Sequence, residues 1–299
     1  PLLVLTPEGE WHGIPANRFS GGLNFIGMTI DDYGGKWILN RGNGIIVYND
    51  NGTPGNLNDD RPPVYLRAGI NQGALPTNDV FSIARDLDGF IWVGTRQGVW
   101  VFYDPFSISQ GKIVDGACPA INLRCLLKDE TINAIAVDGG NRKWMATTNG
   151  VFLVSEDGDE VIQQFTTDNS PLLSNQVFDV TVDAVTGEVF FATELGLVSY
   201  RGDATRGADP CEAVLVYPNP VFTDFDGLIT IQGAGRDSRV RITSVSGQLV
   251  RELRSEGGTA TWDGLDVYGR KVHSGIYLAL IANREGANAC IGKFAVIRR

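Results

Sequence analysis

One phrase occurs four times in the first two-thirds of this chain, and no other feature restricts the fold as much. Its clearest copy runs from Asn78 through Val80, Ile83, Asp86, Gly89, Trp92, Gly94, Thr95, Gly98 and Val99 to Tyr103. A second copy runs from Asn24 through Ile30, Asp31, Gly34, Trp37 and Gly44 to Tyr48, and a third from Ile132 through Ile135, Asp138, Gly140, Trp144, Thr147 and Gly150 to Val154. The fourth is worn: Val177, Val180, Asp183, Gly187, Phe190, Thr193, Gly196 and Tyr200. The aromatic positions stand roughly 50 residues apart, a period found in arrays whose repeating unit is a small β-sheet.

Within a copy, apolar residues point both ways along Val80–Ile83 and again along Phe90–Val93, as in strands covered on both faces. Asp86-Leu87-Asp88-Gly89 between them is a tight turn: the aspartate can bond its own backbone and the glycine can take positive φ. Gly98 turns the chain into a third strand, and Val161–Phe165 reads as a looser outer strand after the third copy. Four antiparallel strands per unit, stacked about an axis, make a β-propeller blade. Trp37, Trp92, Trp144 and Phe190 then belong mid-blade as anchors that fill the wedge between neighbouring sheets.

The phrase resembles the two-component-regulator propeller repeat, N-x-V-x-x-I-x-x-D-x-x-G-x-I-W-V-G-T-x-x-G-V. The copy around Trp92 matches almost throughout. The copy around Trp37 carries Asn40-Arg41 in place of Gly-Thr and one extra residue before Gly44, and the last copy loses its Trp to Phe190. The resemblance implies the fold and says little about activity.

The chain opens with Leu2–Leu5, which reads as an orphan strand without partners, and the fourth copy stops after Tyr200 with no outer strand. Because an open sheet edge is a liability, the expectation is that residues 1–201 are the C-terminal part of a longer, seven-bladed ring whose remaining blades lie upstream. A polar Gly/Pro-bearing linker over 202–212 should separate them from a second domain over 213–299.

A net charge of −10 argues against nucleic acid or a bare anionic membrane as partner. No apolar run reaches the ~18–20 residues of a membrane helix. The four cysteines, Cys118, Cys125, Cys211 and Cys290, suggest two disulfides and an oxidising compartment. Spacing favours Cys118–Cys125 and Cys211–Cys290, with other pairings and free thiols open.

After the linker the blade phrase disappears. Strand candidates follow at Ala213–Tyr217, Leu228–Ile231, Val240–Thr243, Leu249–Leu253, Thr259–Trp262, Ile276–Ala282 and Gly292–Ile297, with Ser246-Gly247 as a hairpin turn. Seven short strands at such spacing read as an immunoglobulin-like β-sandwich. The residues Tyr217-Pro218-Asn219-Pro220, then Trp262, Gly264, Gly275 and Tyr277, and finally Lys293 with Arg298-Arg299, look like the C-terminal sorting domain of type IX secretion substrates. The stretch from Trp262 to Tyr277 is also similar to the flagellar hook-cap immunoglobulin-like domain. In the sorting family the domain is an export signal recognised by an outer-membrane translocon and, in ordinary cargo, removed by a sortase.

Reactive chemistry is poorly represented. His12 and His273 are the only histidines, and neither H-x-x-x-H nor C-x-x-C nor G-x-S-x-G occurs. Carboxylate pairs such as Asp31-Asp32, Asp59-Asp60 and Asp86 with Asp88 fall in turns or loops, where a solvated structural role is expected. The oxygen-rich stretch from Asn49 to Asp60 offers Asp50, Asp59 and Asp60 as weak calcium ligands, but it lacks a bidentate Glu and reads first as a hairpin loop. No catalytic residue and no cofactor is assigned.

Taken together, the two resemblances imply a non-enzymatic surface component of the type IX secretion system, held at the outer face of the outer membrane. Its partners would be the sortase, other attachment-complex or translocon proteins, and anionic lipopolysaccharide. A glycan of that charge would need a basic patch, for which Arg61, Arg67, Arg85 and Arg96 are candidates. Two alternatives stand beside this: a secreted carbohydrate-active enzyme or adhesin carrying the sorting domain as an export tag, and the oligosaccharide-sensing propeller of a hybrid two-component regulator.

Overall fold

The computed structural model describes residues 2–207, 214–222, 225–282 and 289–297. The chain is nearly all β, and its one α-helix among the described residues is the short Pro105–Ser109. Two compact units emerge: one of Pro1–Val137, Lys143–Thr181 and Phe190–Val198, the other of Asp138–Arg142, Val182–Val189 and Ser199–Arg299.

The four phrases become four separate sheets. The first holds Phe25–Ile30, Lys36–Asn40, Ile45–Tyr48 and Val64–Leu66 in sequence order, and the third holds Ile132–Val137, Lys143–Thr147, Gly150–Val154 and Val161–Phe165. Both are antiparallel throughout, as a blade requires. The second, Val80–Arg85, Ile91–Thr95 and Gly98–Phe102, has three strands. Its expected outer strand is replaced by the loop that Cys118–Cys125 closes, where Val101 and Ala117 exchange backbone hydrogen bonds of 2.8 and 2.9 Å. The fourth sheet, Val177–Asp183, Glu188–Thr193 and Gly196–Arg201, also has three strands.

Neighbouring blades share cores. Trp37 packs with Phe102 at 5.4 Å in a cluster that joins Leu39, Ile45 and Val64 of the first sheet to Val80, Ile91 and Val93 of the second. Trp92 performs the same task one blade on, against Ile132, Met145 and Val154. Trp144 meets Phe165 and Phe191, each at 5.7 Å. Gly94 permits the close approach this needs, since a Cβ there would lie 2.7 Å from the Ile132 carbonyl oxygen of the next blade.

Leu2–Leu5 corrects the expectation of an orphan strand. It pairs antiparallel with Trp11–Ile14, Leu2 opposite Ile14 and Leu5 opposite Trp11. Leu2, Val4 and Ile14 pack with Phe19, Ile38, Ile46 and Tyr48 of the first blade. Two short strands spaced by a Pro-Glu-Gly turn made the hairpin, and the tertiary contact stabilised it.

In the second unit, Leu215–Tyr217, Ile229–Gln232 and Thr259–Trp262 form one sheet, and Val221–Phe222, Ala289–Ile297, Gly275–Ala282, Arg239–Ser244 and Leu249–Arg254 form the other, in those orders. Inward residues of both sheets enclose one core, with Trp262, Tyr277 and Phe294 in mutual ring contact at 5.8 to 6.3 Å. This is a β-sandwich, and its strands coincide closely with the period-2 segments of the sequence. The short Val221–Phe222, parallel to the end of Ala289–Ile297, was not anticipated.

Candidate functional site

The turn aspartate of the repeat does more than close a turn. Asp31 Oδ1 accepts the backbone N–H groups of Tyr33 and Gly35 at 2.9 and 2.8 Å, while Oδ2 accepts the Trp37 indole N–H at 2.8 Å. Asp86 repeats the arrangement with Asp88, Phe90 and Trp92, the indole bond again 2.8 Å. One buried carboxylate thus satisfies two turn donors and fixes the anchor ring, which would otherwise bury an unpaired N–H. Asp138 keeps the two turn bonds, to Gly140 and Arg142, and its second oxygen accepts from the Arg142 Nε at 2.9 Å. Asp183 bonds Val185 N–H and Thr186 Oγ1, and Phe190 has no N–H to give. The signal was in the sequence: aspartate and tryptophan are six residues apart in three copies and the spacing lengthens where the tryptophan is lost.

Each buried carboxylate also takes a partner from elsewhere. Ser109, at the end of the helix that Asp104 caps and Pro105 begins, donates to Asp31. Lys143, fully buried, lies 3.0 Å from Asp86 with its ammonium 4.3 Å from the centre of the Trp92 ring. Burial pulls the Lys143 ammonium below its ordinary pKa, and Asp86 opposes that pull. Lys36, at the matching position of the first blade, pairs with Asp50 at 2.8 Å. These are cores of blades, enclosed by protein, and they place Trp37, Trp92 and Trp144 inside. Phe190 is only half-buried, and the fully buried ring of that strand is its neighbour Phe191.

The calcium candidates do not converge. Asp50 faces Lys36, Asp59 accepts from Thr53 Oγ1 at 2.9 Å, and Asp60 accepts from Tyr48 and lies 3.5 Å from Arg18. Burial, then the bond to Asp60, raises the Tyr48 phenol above its ordinary pKa. Among the described residues no three His, Cys, Asp or Glu side chains gather as a metal site. The arginine candidates divide. Arg61 donates to Asn51 and Arg85 pairs with Asp32, whereas Arg67 and Arg96 lie at the opposite end of the blades, where Arg41 joins them.

In the second unit, Arg142 is buried beside Asp138 and Asp203, at 2.9 and 2.7 Å, with Glu256 at 4.0 Å. Burial works against its charge, but the surrounding carboxylates hold it firmly protonated. Burial also pushes the Glu256 carboxyl up, against the pull of Arg142. Thr205, inside the expected linker, is pinned: Gly258 N–H donates to its carbonyl at 2.7 Å and its hydroxyl meets Thr259 at 2.6 Å.

Of the sorting-type residues, Asn219, between Tyr217-Pro218 and Pro220, reaches the final strand, donating to Lys293 O at 3.4 Å and accepting from Ala295 N at 3.1 Å. Trp262 donates to Leu265 O and Tyr277 to His273 O, both at 2.9 Å, and Gly264 has φ of +73° in the intervening turn. Lys293 is exposed, and Gly275 opens the strand that carries Tyr277. Cys118 and Cys125 are bonded, and Cys290 is disulfide-bonded as well. The expected partner Cys211, part of the linker and the terminal Arg298-Arg299 lie outside the described residues.

Blades of this construction define a class. Residues 74–97 match the family described as Two component regulator propeller. A comparison with the curated proteins returns no match. Among solved structures, the chain is similar to PorZ, a bacterial surface component of the type-IX secretion system of Porphyromonas gingivalis. The identity is 27%, the TM-score is 0.64, and the match covers 99% of this chain and 42% of PorZ. The chain therefore spans less than half the length of that relative, and both its blades and its sandwich fall within the matched region. The extracellular domain of the one component system BT4673 from B. thetaiotaomicron is also similar, at 12% identity and TM-score 0.46, over 99% of this chain and 62% of that one.

Proposed function

We propose that this chain is part of a PorZ-like component of the type IX secretion system, a non-enzymatic scaffold at the cell surface. It would support the attachment complex in which a sortase processes cargo and joins it to anionic lipopolysaccharide. The observation that carries the reading is the PorZ likeness, which runs through the blades and the C-terminal sandwich alike. In this reading the sandwich is a sorting-type domain, with Asn219 clasping the last strand and Lys293 exposed for a partner. Scaffolding accords with the chemistry found: the ionisable groups of the blade cores are consumed in braces, which leaves loops and turns as working surface.

Deleting the gene and following cargo on the cell surface tests this. Accumulation of unprocessed cargo is the expected result; normal processing with loss of one separate activity would instead make the chain a cargo protein. A second reading, a glycan-sensing propeller of a hybrid two-component regulator, is favoured by the family description matched at residues 74–97. Finding a kinase domain on the same polypeptide would decide for it.

A further inference from the structure

At one end of the first two blades, two guanidinium groups converge on a single ring. Arg41 lies 4.9 Å from the centre of Phe81 and Arg96 lies 5.8 Å from it. They come from equivalent turns of adjacent blades, the turns that follow Lys36–Asn40 and Ile91–Thr95. Phe81 is the residue skipped by the ladder between Val80 and Ser82, a β-bulge, and a bulge re-aims a side chain. Gly44, at φ +82°, presses the first turn onto the next connection; a Cβ there would lie 2.2 Å from Leu66 O. Arg67 follows directly, with its guanidinium over Tyr65 at 5.4 Å.

The repeat does not need arginine at these turns. What the turn uses is the preceding threonine: Thr95, Thr147 and Thr193 each donate Oγ1 to the glycine three residues on and accept a backbone N–H two residues on. The next position is Arg41 and Arg96 in the first two blades but Thr148 and Glu194 in the last two. Two adjacent arginines in a chain of net charge −10 are therefore not explained by the fold. Both are exposed. Among the described residues the carboxylate paired with Arg96 is Asp79, which accepts from its Nε at 2.9 Å. Stacking on a ring fixes a guanidinium while keeping its in-plane N–H fork available, so less entropy is lost when an anion binds.

We propose that Arg41 and Arg96, held by Phe81 and flanked by Arg67, form an oxyanion site that takes a phosphate or carboxylate group. The site stands whether or not the secretion reading holds, because it is a property of the first two blades. Its affinity should fall with salt, as for any exposed charge pair.

Titration calorimetry of the whole chain with inorganic phosphate, glucose 6-phosphate and trigalacturonate tests it. Binding of at least one probe is expected, weakened about tenfold or more by Arg41→Ala and by Arg96→Ala, the effect of losing a charge-assisted bond. Arg41→Lys should recover part of the loss, and Arg85→Ala, at the other end of the blades, should leave affinity unchanged. Tighter binding of the sugar ligands than of inorganic phosphate identifies a glycan as the source; equal binding identifies the free ion. Circular dichroism confirms that these exposed substitutions leave the fold intact. No binding of any probe at millimolar concentration, or equal binding by the folded Arg41→Ala and Arg96→Ala variants, overturns the proposal.

Discussion

The second blade and the fourth begin from the same phrase and end differently. In the second, every residue of Ile91–Thr95 is buried, and Asp86 holds the turn, the Trp92 indole and the Lys143 ammonium together. In the fourth, burial alternates along Glu188–Thr193: Val189, Phe191 and Thr193 face inward, while Phe190 is half-buried. Asp183 bonds Val185 N–H and Thr186 Oγ1 of its own turn. A blade in this chain is thus a sheet whose anchor is tied by a buried carboxylate to a turn and clasped by its neighbour. Where Phe190 replaces the indole, the aspartate still closes its turn but has no ring N–H to hold.

The largest effect should come from the carboxylate. Asp86→Ala removes the acceptor of the Trp92 N–H and the counter-charge of the Lys143 ammonium together, and breaking a buried charge pair costs about 3–5 kcal/mol, whereas Asp183→Ala, at a partly exposed turn, should cost clearly less. Urea denaturation measures both, and equal losses would erase the distinction between the two blades. Removing the Cys118–Cys125 bridge by double serine substitution should cost about 2–3 kcal/mol, since it closes a short loop that stands in for the outer strand of the second blade. Loss of less than half that would show that the Val101–Ala117 pairing holds the loop unaided.

Exchanging the anchors sharpens the comparison further. Trp92→Phe keeps a ring but loses the indole bond and some volume, for about 1–3 kcal/mol, while Phe190→Trp should stay within about 0.5 kcal/mol because its face is half open. The smallest effect concerns Glu256. Burial raises its pKa, so the folded state holds the proton more tightly than the unfolded one. Its contribution is fully present below the ordinary value of about 4.3 and is lost as pH rises through the raised one. Thermal melts across that window should show a slope that Glu256→Gln flattens, and an unchanged slope would assign the titration to another group.

Much of this was legible from residue order. The period located the sheets, the alternation located the sandwich strands from Leu215–Tyr217 to Ala289–Ile297, and the Asp-to-Gly spacing located the turns. What escaped were consequences of distance along the chain. The pairing of Leu2–Leu5 depends on contact with Ile38 and Ile46, and the helix Pro105–Ser109 acquires its meaning only when Ser109 arrives at Asp31. Arg41 reads in the sequence as a replacement for the consensus Thr, but the register puts Asn40 at the Thr95 position, and Arg41 follows it and shares the Phe81 ring with Arg96. Local pattern specifies elements, and which side chains meet is decided by how the sheets stack.

Native-state amide hydrogen exchange tests the braced-blade account most directly. The amides of Ile91–Thr95 and Lys143–Thr147 should exchange only through global unfolding, whereas those of Glu188–Thr193 and Gly196–Arg201 should exchange through a smaller opening at markedly lower free energy. Equal protection across all four sheets, or earlier opening of the second blade than of the fourth, would contradict it.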